Sequence, residues 1–409
     1  MPENRAANGS RAANSSRAAN GAARVAALAL AITAPAACGR FGFDLLSASD
    51  PDGGGNAAGE VDGAMATGDV DAGGPDGGAG WDGEGGIAGC LVVTTERDED
   101  DCDETPGPPH LGSGLSLREA IELANRATGE DCIRFAGPLS VAVEQSELPA
   151  TSDPAGLSID GRGDSGGSPG DAVAQLTGGG AAAAGAGLRL AAGPVDLRAL
   201  MISGFDTGLA AEADGSALGP DLAVHNCGIG VFVTGTGNRL RGIHAHDNAS
   251  HGVDIMAAAA DADLFQVLSH DNGGDGVRAR STDGLVVRHA TLALNAGAGI
   301  DASEGAQRLT VQNTILARNA GAGVAVDQQS SIEALGTCDF FDDTCDGCET
   351  GDGSISVNPR FTDLDGREFT LKAGSPCADR GIDTGFDTNG DEPGLFGGNA
   401  PDLGAFESN

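Results

Sequence analysis

Histidine and aspartate residues recur at matching positions in the middle of this chain. Two His-Asp-Asn triplets lie 24 residues apart, and one more polar residue stands three positions after each Asn. Carboxylates beside imidazoles can bind a cation, or can supply an acid and a base for sugar chemistry. The alternative is a polar turn that faces water. The set comprises His246, Asp247, His251, His270, Asp271 and Asp275, with His225 in the register of His246 one unit earlier.

These residues belong to a repeat of 22 to 24 residues, since Ser203 and five later Asn residues are spaced 23, 22, 24, 23 and 24 residues apart. A period this short, with short apolar stretches such as 284–287 and 309–311, predicts one solenoid coil of about three strands per repeat. Equivalent strands of successive coils pair about 4.8 Å apart. Equivalent residues should therefore stack and bring the His and Asp residues together. Asp247, Asp271, His246 and His270 are the candidate catalytic residues.

The recurring asparagines are predicted to be structural. Each Asn should occupy the same turn of its coil, where its amide bonds the backbone and stacks on its neighbours. Asn also tolerates the left-handed backbone that such turns need. The predicted ladder consists of Asn226, Asn248, Asn272, Asn295 and Asn319.

The composition favours a stacked all-β fold and excludes some partners. Gly accounts for 68 of 409 residues, whereas aromatic residues make up only 3% and Tyr is absent. Many tight turns and few large rings suit a β-solenoid better than an ordinary globular core. The formal net charge of −37 argues against nucleic acid and anionic membrane surfaces as partners.

The amino terminus reads as a processing segment. Residues 1–24 are polar and basic, residues 25–37 are mainly apolar, and small residues precede Cys38. This pattern is that of a secretory signal, and it resembles a bacterial lipobox with Cys38 as the lipidated residue. A plain signal peptide is the alternative. Residues 47–86 are almost wholly Gly, Ala and Asp, a composition typical of a disordered tether.

Two further stretches carry a family resemblance. The first is Leu115-Ser116-Leu117-Arg118-Glu119-Ala120-Ile121 with Ala124-Asn125, followed by Asp131-Cys132-Ile133-Arg134-Phe135. The second is the closing stretch, with the segments 358–361, 369–371, 374–381 and 400–407. Together they resemble the bacterial surface proteins with pectate-lyase-like, choice-of-anchor β-helix repeats, over about residues 90–407. The resemblance implies a right-handed parallel β-helix with an amino-terminal capping helix and a carboxy-terminal cap. It implies an address at the cell surface and leaves the chemistry open.

The cysteines indicate an oxidising compartment. Eight remain if Cys38 is lipidated, an even count that allows four disulfides. Because Leu115 stands where the resembled proteins often carry Cys, the resemblance implies a rewired cap disulfide, with Cys102–Cys132 as its first candidate. Cys338, Cys345 and Cys348 allow zinc, but an exported chain with an even count favours disulfides.

One acidic stretch is a candidate for calcium. Its alternating oxygen ligands resemble half of an EF-type loop, without the bidentate Glu at the expected distance. The candidate calcium ligands are Asp383, Asp387, Asn389 and Asp391.

The sequence thus predicts an all-β, right-handed, single-stranded parallel β-helix. Its predicted segments are a signal peptide (1–37), a tether (38–87), an amino-terminal cap with the first coils (88–200), regular coils (201–335), and a Cys-rich loop with a terminal cap (336–409). We expect an exported outer-membrane lipoprotein that binds the membrane through its lipid. Two functions stay open: a non-enzymatic protein for glycan binding, adhesion or scaffolding, and a polysaccharide lyase, hydrolase or epimerase.

Overall fold

Short apolar stretches separated by turn residues form the strands of this chain. The computed structural model describes residues 90–100, 114–163, 173–386, 388 and 396–408, all of them within the compact unit 56–409. The predicted signal, Cys38 and tether, and also Cys102, lie outside the described residues. None of the described helices is long and apolar enough to cross a membrane.

The first half of the described chain contains both helical segments. The elements up to residue 225 are β1 (Leu91–Val93), α1 (Leu117–Arg126), β2 (Asp131–Phe135), β3 (Ser140–Val143), β4 (Leu157–Gly163), β5 (Ala174–Gly178), a 3-10 turn (Ala182–Ala184), β6 (Ala186–Leu190), β7 (Val195–Arg198), β8 (Leu200–Ser203), β9 (Thr207–Ala211), β10 (Ala217–Leu218) and β11 (Leu222–His225).

The second half consists of strands alone within the described residues. The elements are β12 (Ile229–Val233), β13 (Arg239–Arg241), β14 (Ile243–His246), β15 (Val253–Ile255), β16 (Asp263–Phe265), β17 (Leu268–His270), β18 (Val277–Ala279), β19 (Val286–Arg288), β20 (Thr291–Ala293), β21 (Ile300–Ala302), β22 (Leu309–Gln312), β23 (Ile315–Ala317), β24 (Val324–Val326), β25 (Ile332–Gly336), β26 (Asp339–Phe341), β27 (Cys345–Asp346), β28 (Phe361–Asp363) and β29 (Glu368–Leu371).

Three parallel sheets wind together along the chain. Sheet A has the order β1-β2-β4-β7-β10-β13-β16-β19-β22-β25, sheet B has β3-β5-β8-β11-β14-β17-β20-β23-β26, and sheet C has β6-β9-β12-β15-β18-β21-β24-β27. From β7 onward, successive strands enter sheets A, B and C in turn, so each coil contributes one strand to each sheet. This confirms the predicted parallel β-helix with three strands per coil. Only β28 and β29 pair antiparallel among the described strands.

Stacked aliphatic side chains fill the interior. On sheet A, Leu197, Leu218, Leu240 and Leu264 are partners in successive registers and are at most 1% exposed. Every strand is flanked by a strand of the same register, so its inward residues meet equivalent residues above and below. This explains why the fold needs so few aromatic rings.

Helix α1 begins with a capping box formed by Ser116 and Glu119. The Glu119 backbone N–H donates to Ser116 Oγ at 3.2 Å, and the Ser116 N–H donates to the Glu119 carboxylate at 2.9 Å. The apolar side chains of Leu117, Ala120 and Ile121 are buried, and the helix packs on β1 and β2. That it closes the amino-terminal end of the solenoid remains a prediction.

A buried amide ladder runs along the turn between sheets B and C. The Oδ1 atoms of Asn272, Asn295 and Asn319 accept the backbone N–H of the Asn one coil earlier at 3.1–3.2 Å. Below Asn319, the Asp343 carboxylate accepts both its backbone N–H and its side-chain amide. Burial raises the pKa of Asp343 to about 6, although the bonds from Asn319 oppose this.

The predicted membership and backbone of this ladder were partly wrong. Because His225 pairs in register with His246, Asn226 is equivalent to Asp247, and Cys227 takes the ladder position by donating its N–H to Asn248 Oδ1. Asn226 is exposed and contacts His225 instead. The left-handed backbone belongs to the residue before each ladder position, including Asp247 (φ 53°) and Asp271 (φ 52°).

The described residues that follow β27 form the closing segment, which lies along the side of the solenoid as well as beyond its last coil. Ile355 pairs with Asp339 at the end of sheet B, but the residues after it form a second buried cluster. There Phe361, Phe369, Leu403 and Ala405 cover apolar residues of β17, β20 and β23. Leu268, Ala293, Ile315 and Ala317 supply that surface. Because these four side chains point away from the main core, they need a cover of their own.

The predicted Cys102–Cys132 disulfide is wrong. Cys132 bonds to Cys90, with the two Cα atoms 4.7 Å apart, because each cysteine immediately precedes the register pair Leu91–Ile133 of β1 and β2. Cys345 bonds to Cys348, which agrees with a disulfide over zinc. Cys227, Cys338 and Cys377 are buried free thiols, so the even count does not translate into full pairing.

Replacing Asn272 with Ala should lower the free energy of unfolding by about 2–4 kcal/mol, because it leaves the buried Asn248 N–H without its acceptor and removes the amide's bonds to Asn295 and to the Ala245 carbonyl. Denaturant titration measures this change. The control is Asn226→Gly, which is exposed, keeps the positive φ and should change stability by less than about 0.5 kcal/mol. Equal losses in the two variants would contradict a ladder without Asn226.

Candidate functional site

Three histidines stack on the outer face of sheet B. His225, His246 and His270 are register partners on β11, β14 and β17. The ring centroids of His225 and His246 are 4.9 Å apart, and those of His246 and His270 are 5.1 Å apart, with nearly parallel planes. The rings face outward because Val224 and Ala245, their neighbours in the strands, point into the main core. Coil-on-coil pairing thus brings together two of the candidate catalytic residues.

The adjacent aspartates orient these rings. Asp247 and Asp271 each follow a stacked histidine at the left-handed turn. Their carboxylates bond Nδ1 of His246 at 2.8 Å and of His270 at 2.7 Å. In a neutral imidazole with Nδ1–H donating to the carboxylate, Nε2 carries the lone pair. Both rings therefore present Nε2 as a ligand or base.

The closing segment completes one side of the site. Arg367, between β28 and β29, forms a two-pronged ion pair with Asp271. The ring of Phe369 packs on His270 with centroids 4.7 Å apart. His270 is consequently only 4% exposed, whereas His246 is 22% exposed and Asp247 56%. The site is closed on the β17 side and open around Asp247.

A fourth histidine, His244, was missed by the sequence interpretation. It lies two residues before His246 on β14, and alternate residues of a strand share a face. Its Nε2 atom is 2.8 Å from Nε2 of His270, and its ring centroid is 4.3 Å from that of His246. The His-x-His spacing of 244–246 within one strand could have indicated His244. It was missed because only residues at equivalent positions of different coils were compared.

Burial favours the neutral form of His244, His270 and His225. Burial and the neighbouring imidazoles lower the pKa of His244 to about 3. Burial also lowers the pKa of His270, against the opposing effect of Asp271, and lowers that of His225. For Asp271 burial favours the neutral acid, but the bonds from Arg367 and His270 outweigh it and lower the pKa.

The predicted six-residue cluster divides into two. His251 Nδ1 lies 3.1 Å from the Asp275 carboxylate, and Asp275 also accepts the Ala298 N–H at 2.7 Å. Within the described part of the chain, neither His251 nor Asp275 has a recorded polar or ring contact with His246 or His270. The reason is the turn: residues three positions after the ladder lie beyond the corner that leads to sheet C. This pair links coils together.

Three of the four predicted calcium ligands, Asp387, Asn389 and Asp391, lie outside the described residues, so the calcium site stays a prediction. The Asp383 carboxylate accepts the Gly385 N–H at 2.8 Å. Among the described residues, the group with metal-ligand geometry is His244, His246 and His270, whose ligand atoms lie within 4.8 Å of one another.

Residues 207–359 match the family described as right handed beta helix region. Over these residues the match agrees with the three parallel sheets, and the fold is a right-handed parallel β-helix. This match spans the coils that carry the whole histidine cluster. No curated protein sequence matches this chain.

Similar solved structures include a pectate lyase, an alginate lyase and a mannuronan C-5 epimerase. Pectate lyase Pel9A is 13% identical, with a TM-score of 0.37, and the alignment covers 78% of this chain and 96% of that one. The alginate lyase of Paenibacillus sp. FPU-7 is 13% identical, with a TM-score of 0.42 and coverages of 65% and 98%. The mannuronan C-5 epimerase AlgE4 A-module of Azotobacter vinelandii is 13% identical, with a TM-score of 0.31 and coverages of 59% and 93%. Likeness at this level carries no argument about activity.

The low pKa of His244 predicts a pH-dependent contribution to stability. The unfolded chain binds the proton near the ordinary value of about 6.5, so the stability of the neutral folded form is present above that pH and is lost as the pH falls toward 3. The His244→Gln variant lacks this loss. As the pH is lowered from 7 to 4.5, we expect the free energy of unfolding of this variant to rise by about 1–2 kcal/mol relative to that of the wild type. The difference is smaller than the pKa shift alone would give, because the ring is partly accessible to solvent.

Denaturant unfolding in EDTA at both pH values measures this difference. The control is Ser203→Ala, on the same face of sheet B and in register with His225, which should shift stability equally at the two pH values. A pH-independent difference for His244→Gln would contradict a neutral, desolvated His244.

Proposed function

We propose that this protein is a lipid-anchored cell-surface β-helix that binds glycans without modifying them. The observation that carries the proposal is the state of the two site carboxylates. Asp271 is held by His270 and by Arg367, and Asp247 is held by His246. Both act as orienting groups for imidazoles, so they are not arranged as an independent acid and base across a sugar ring.

A cavity beside the closing segment supports a glycan as the ligand. It has a volume of about 450 Å³ and contains the cationic side chains of Arg318, Arg360 and Lys372 with the rings of Phe341 and Phe361. Asp363 and Asp365 lie at the same cavity. Guanidinium groups suit carboxylate or hydroxyl oxygens, and aromatic faces suit sugar rings. Three cationic side chains against two carboxylates give this lining a small positive excess in a chain of net charge −37, which favours this place for an acidic sugar.

The lipid anchor is proposed from the amino terminus. The basic region, the apolar run 25–37 and the small residues before Cys38 support export followed by lipidation. The Gly- and Asp-rich run 47–86 would then act as a tether between lipid and β-helix. Together they favour the outer membrane as the address.

One observation favours a second candidate, a polysaccharide lyase, hydrolase or epimerase. The His246–Asp247 couple is accessible, and Asp247 holds Nδ1 so that Nε2 of His246 is free to take a proton. A carboxylate that orients an imidazole is a recurrent arrangement for a general base. Under this alternative His246 is the base and Asp247 its positioning residue.

We expect the purified full-length chain to bind at least one member of a panel of acidic and neutral polysaccharides and to turn over none. Binding is followed by calorimetry, and turnover by reducing ends and unsaturated products, with and without calcium. The double variant Arg360→Gln/Lys372→Ala should weaken binding more than about 10-fold. Arg308→Gln, an exposed cation elsewhere, should leave it unchanged.

Turnover that Asp247→Ala/Asp271→Ala abolishes would overturn the non-enzymatic proposal in favour of the second candidate. Absence of binding to every polysaccharide would contradict the glycan ligand.

Metabolic labelling tests the anchor separately. In a bacterial host that processes lipoproteins, the wild type should incorporate radiolabelled palmitate, and Cys38→Ser should lose all of the label. Wild-type protein without label, or a labelled Cys38→Ser variant, would contradict lipidation at Cys38.

A further inference from the structure

Three imidazoles lie close together on the outer face of sheet B. We propose that His244, His246 and His270 bind a divalent transition-metal ion, of which Zn²⁺ is the probe, with water at a fourth position. The ligand atoms of these residues lie within 4.8 Å of one another. The site differs from the glycan cavity, and the proposal does not depend on glycan binding.

The spacing of the nitrogen atoms suits a tetrahedral ion. Zinc–nitrogen bonds of about 2.0–2.1 Å place two ligand nitrogens about 3.3 Å apart in that geometry. Nε2 of His244 and Nε2 of His270 are now 2.8 Å apart, and the widest separation allowed within the group is 4.8 Å. The separations therefore have to change by at most about 1.5 Å to reach this distance, which rotation of the rings about their side-chain bonds can supply.

The surroundings of the rings are those of metal-binding histidines. A ligating imidazole usually donates its other N–H to a carboxylate, which fixes the tautomer and strengthens the ligand. Asp247 and Asp271 do this for His246 and His270 at 2.8 and 2.7 Å, and Arg367 holds Asp271 in turn. Two of the three ligands thus already have their orienting partner, the second of them braced by the closing segment.

The pair His244–His270 has a proton arrangement that a cation would replace. With Nδ1–H of His270 donating to Asp271, its Nε2 is an acceptor, so Nε2–H of His244 must donate to it across 2.8 Å. When a metal ion binds between the rings, the proton of His244 moves from Nε2 to Nδ1, and Nε2 of His244 becomes a ligand of the ion.

The donor set also selects the class of metal. Neutral imidazoles suit Zn²⁺, Cu²⁺ and Ni²⁺, whereas Ca²⁺ and Mg²⁺ need oxygen ligands. The nearest carboxylates are used at Nδ1 of the rings. His225 stacks on His246 at 4.9 Å, but its Nδ1 accepts the side-chain N–H of Asn226. The ring proton of His225 therefore lies on Nε2, and His225 is outside the group of three ligands. Three protein ligands and one open position result.

Titration of the EDTA-treated full-length chain, carrying no histidine tag, tests the proposal. We expect one Zn²⁺ per chain in competition with a chromophoric indicator. Co²⁺ should give the intense visible absorption of a tetrahedral site. His246→Ala, which removes the most exposed of the stacked ligands, should weaken Zn²⁺ binding more than about 100-fold, and Asp271→Asn should weaken it about 10–100-fold.

His251→Ala is the matched control, because it removes a histidine that also pairs with a carboxylate but lies outside the group. It should leave Zn²⁺ affinity and the Co²⁺ spectrum unchanged. Circular dichroism in EDTA verifies that each variant is folded. A wild-type chain without a stoichiometric Zn²⁺ site or without the Co²⁺ bands would overturn the proposal, as would folded His246→Ala with wild-type affinity.

Discussion

Parallel pairing between successive coils is the constraint on which the rest of this structure depends. It places each side chain about 4.8 Å from its equivalent one coil away, so any residue type that recurs in register becomes a column. Inside the solenoid, an aliphatic column packs without voids. An Asn column is stable there only because each side-chain amide donates to the Asn one coil later and accepts from the Asn one coil earlier. Asp343 ends that column with acceptors alone.

The same constraint acts on the outer face, where it produces the histidine cluster. Protonated rings stacked about 5 Å apart would repel each other, so burial and mutual proximity keep His244 and His270 neutral. The carboxylates beside them then serve to orient rings. The chemistry available at this surface is therefore that of neutral imidazole nitrogens: ligation of a metal ion, or acceptance of a proton at His246.

The closing segment decides where that surface begins. Outward residues of β17, β20 and β23 include Leu268 and Ile315, and the segment covers them with Phe361 and Phe369. At β17 the cover also reaches His270 through Phe369. Beyond β17, the outward residues of β14 and β11 are histidines apart from Ala223, the register partner of His244. The site thus lies at the boundary between a covered apolar face and an exposed polar one, and Arg367 links the two.

Periodicity by itself determined the coil, the three strands per coil and the stacking of His246 on His270, because a 22- to 24-residue repeat leaves a parallel solenoid little choice of register. Periodicity misplaced Asn226 by one position. The coil between His225 and His246 is one residue shorter than the Asn spacing suggests, and counting Asn residues cannot reveal this. Periodicity also could not supply His244, Arg367 or the partner of Cys132. His244 depends on the orientation of its ring, and Arg367 on the position of a segment 96 residues from Asp271 in the sequence. The partner of Cys132 depends on the pairing of β1 with β2. Such choices are made by packing over the whole fold, so only the tertiary structure decided them.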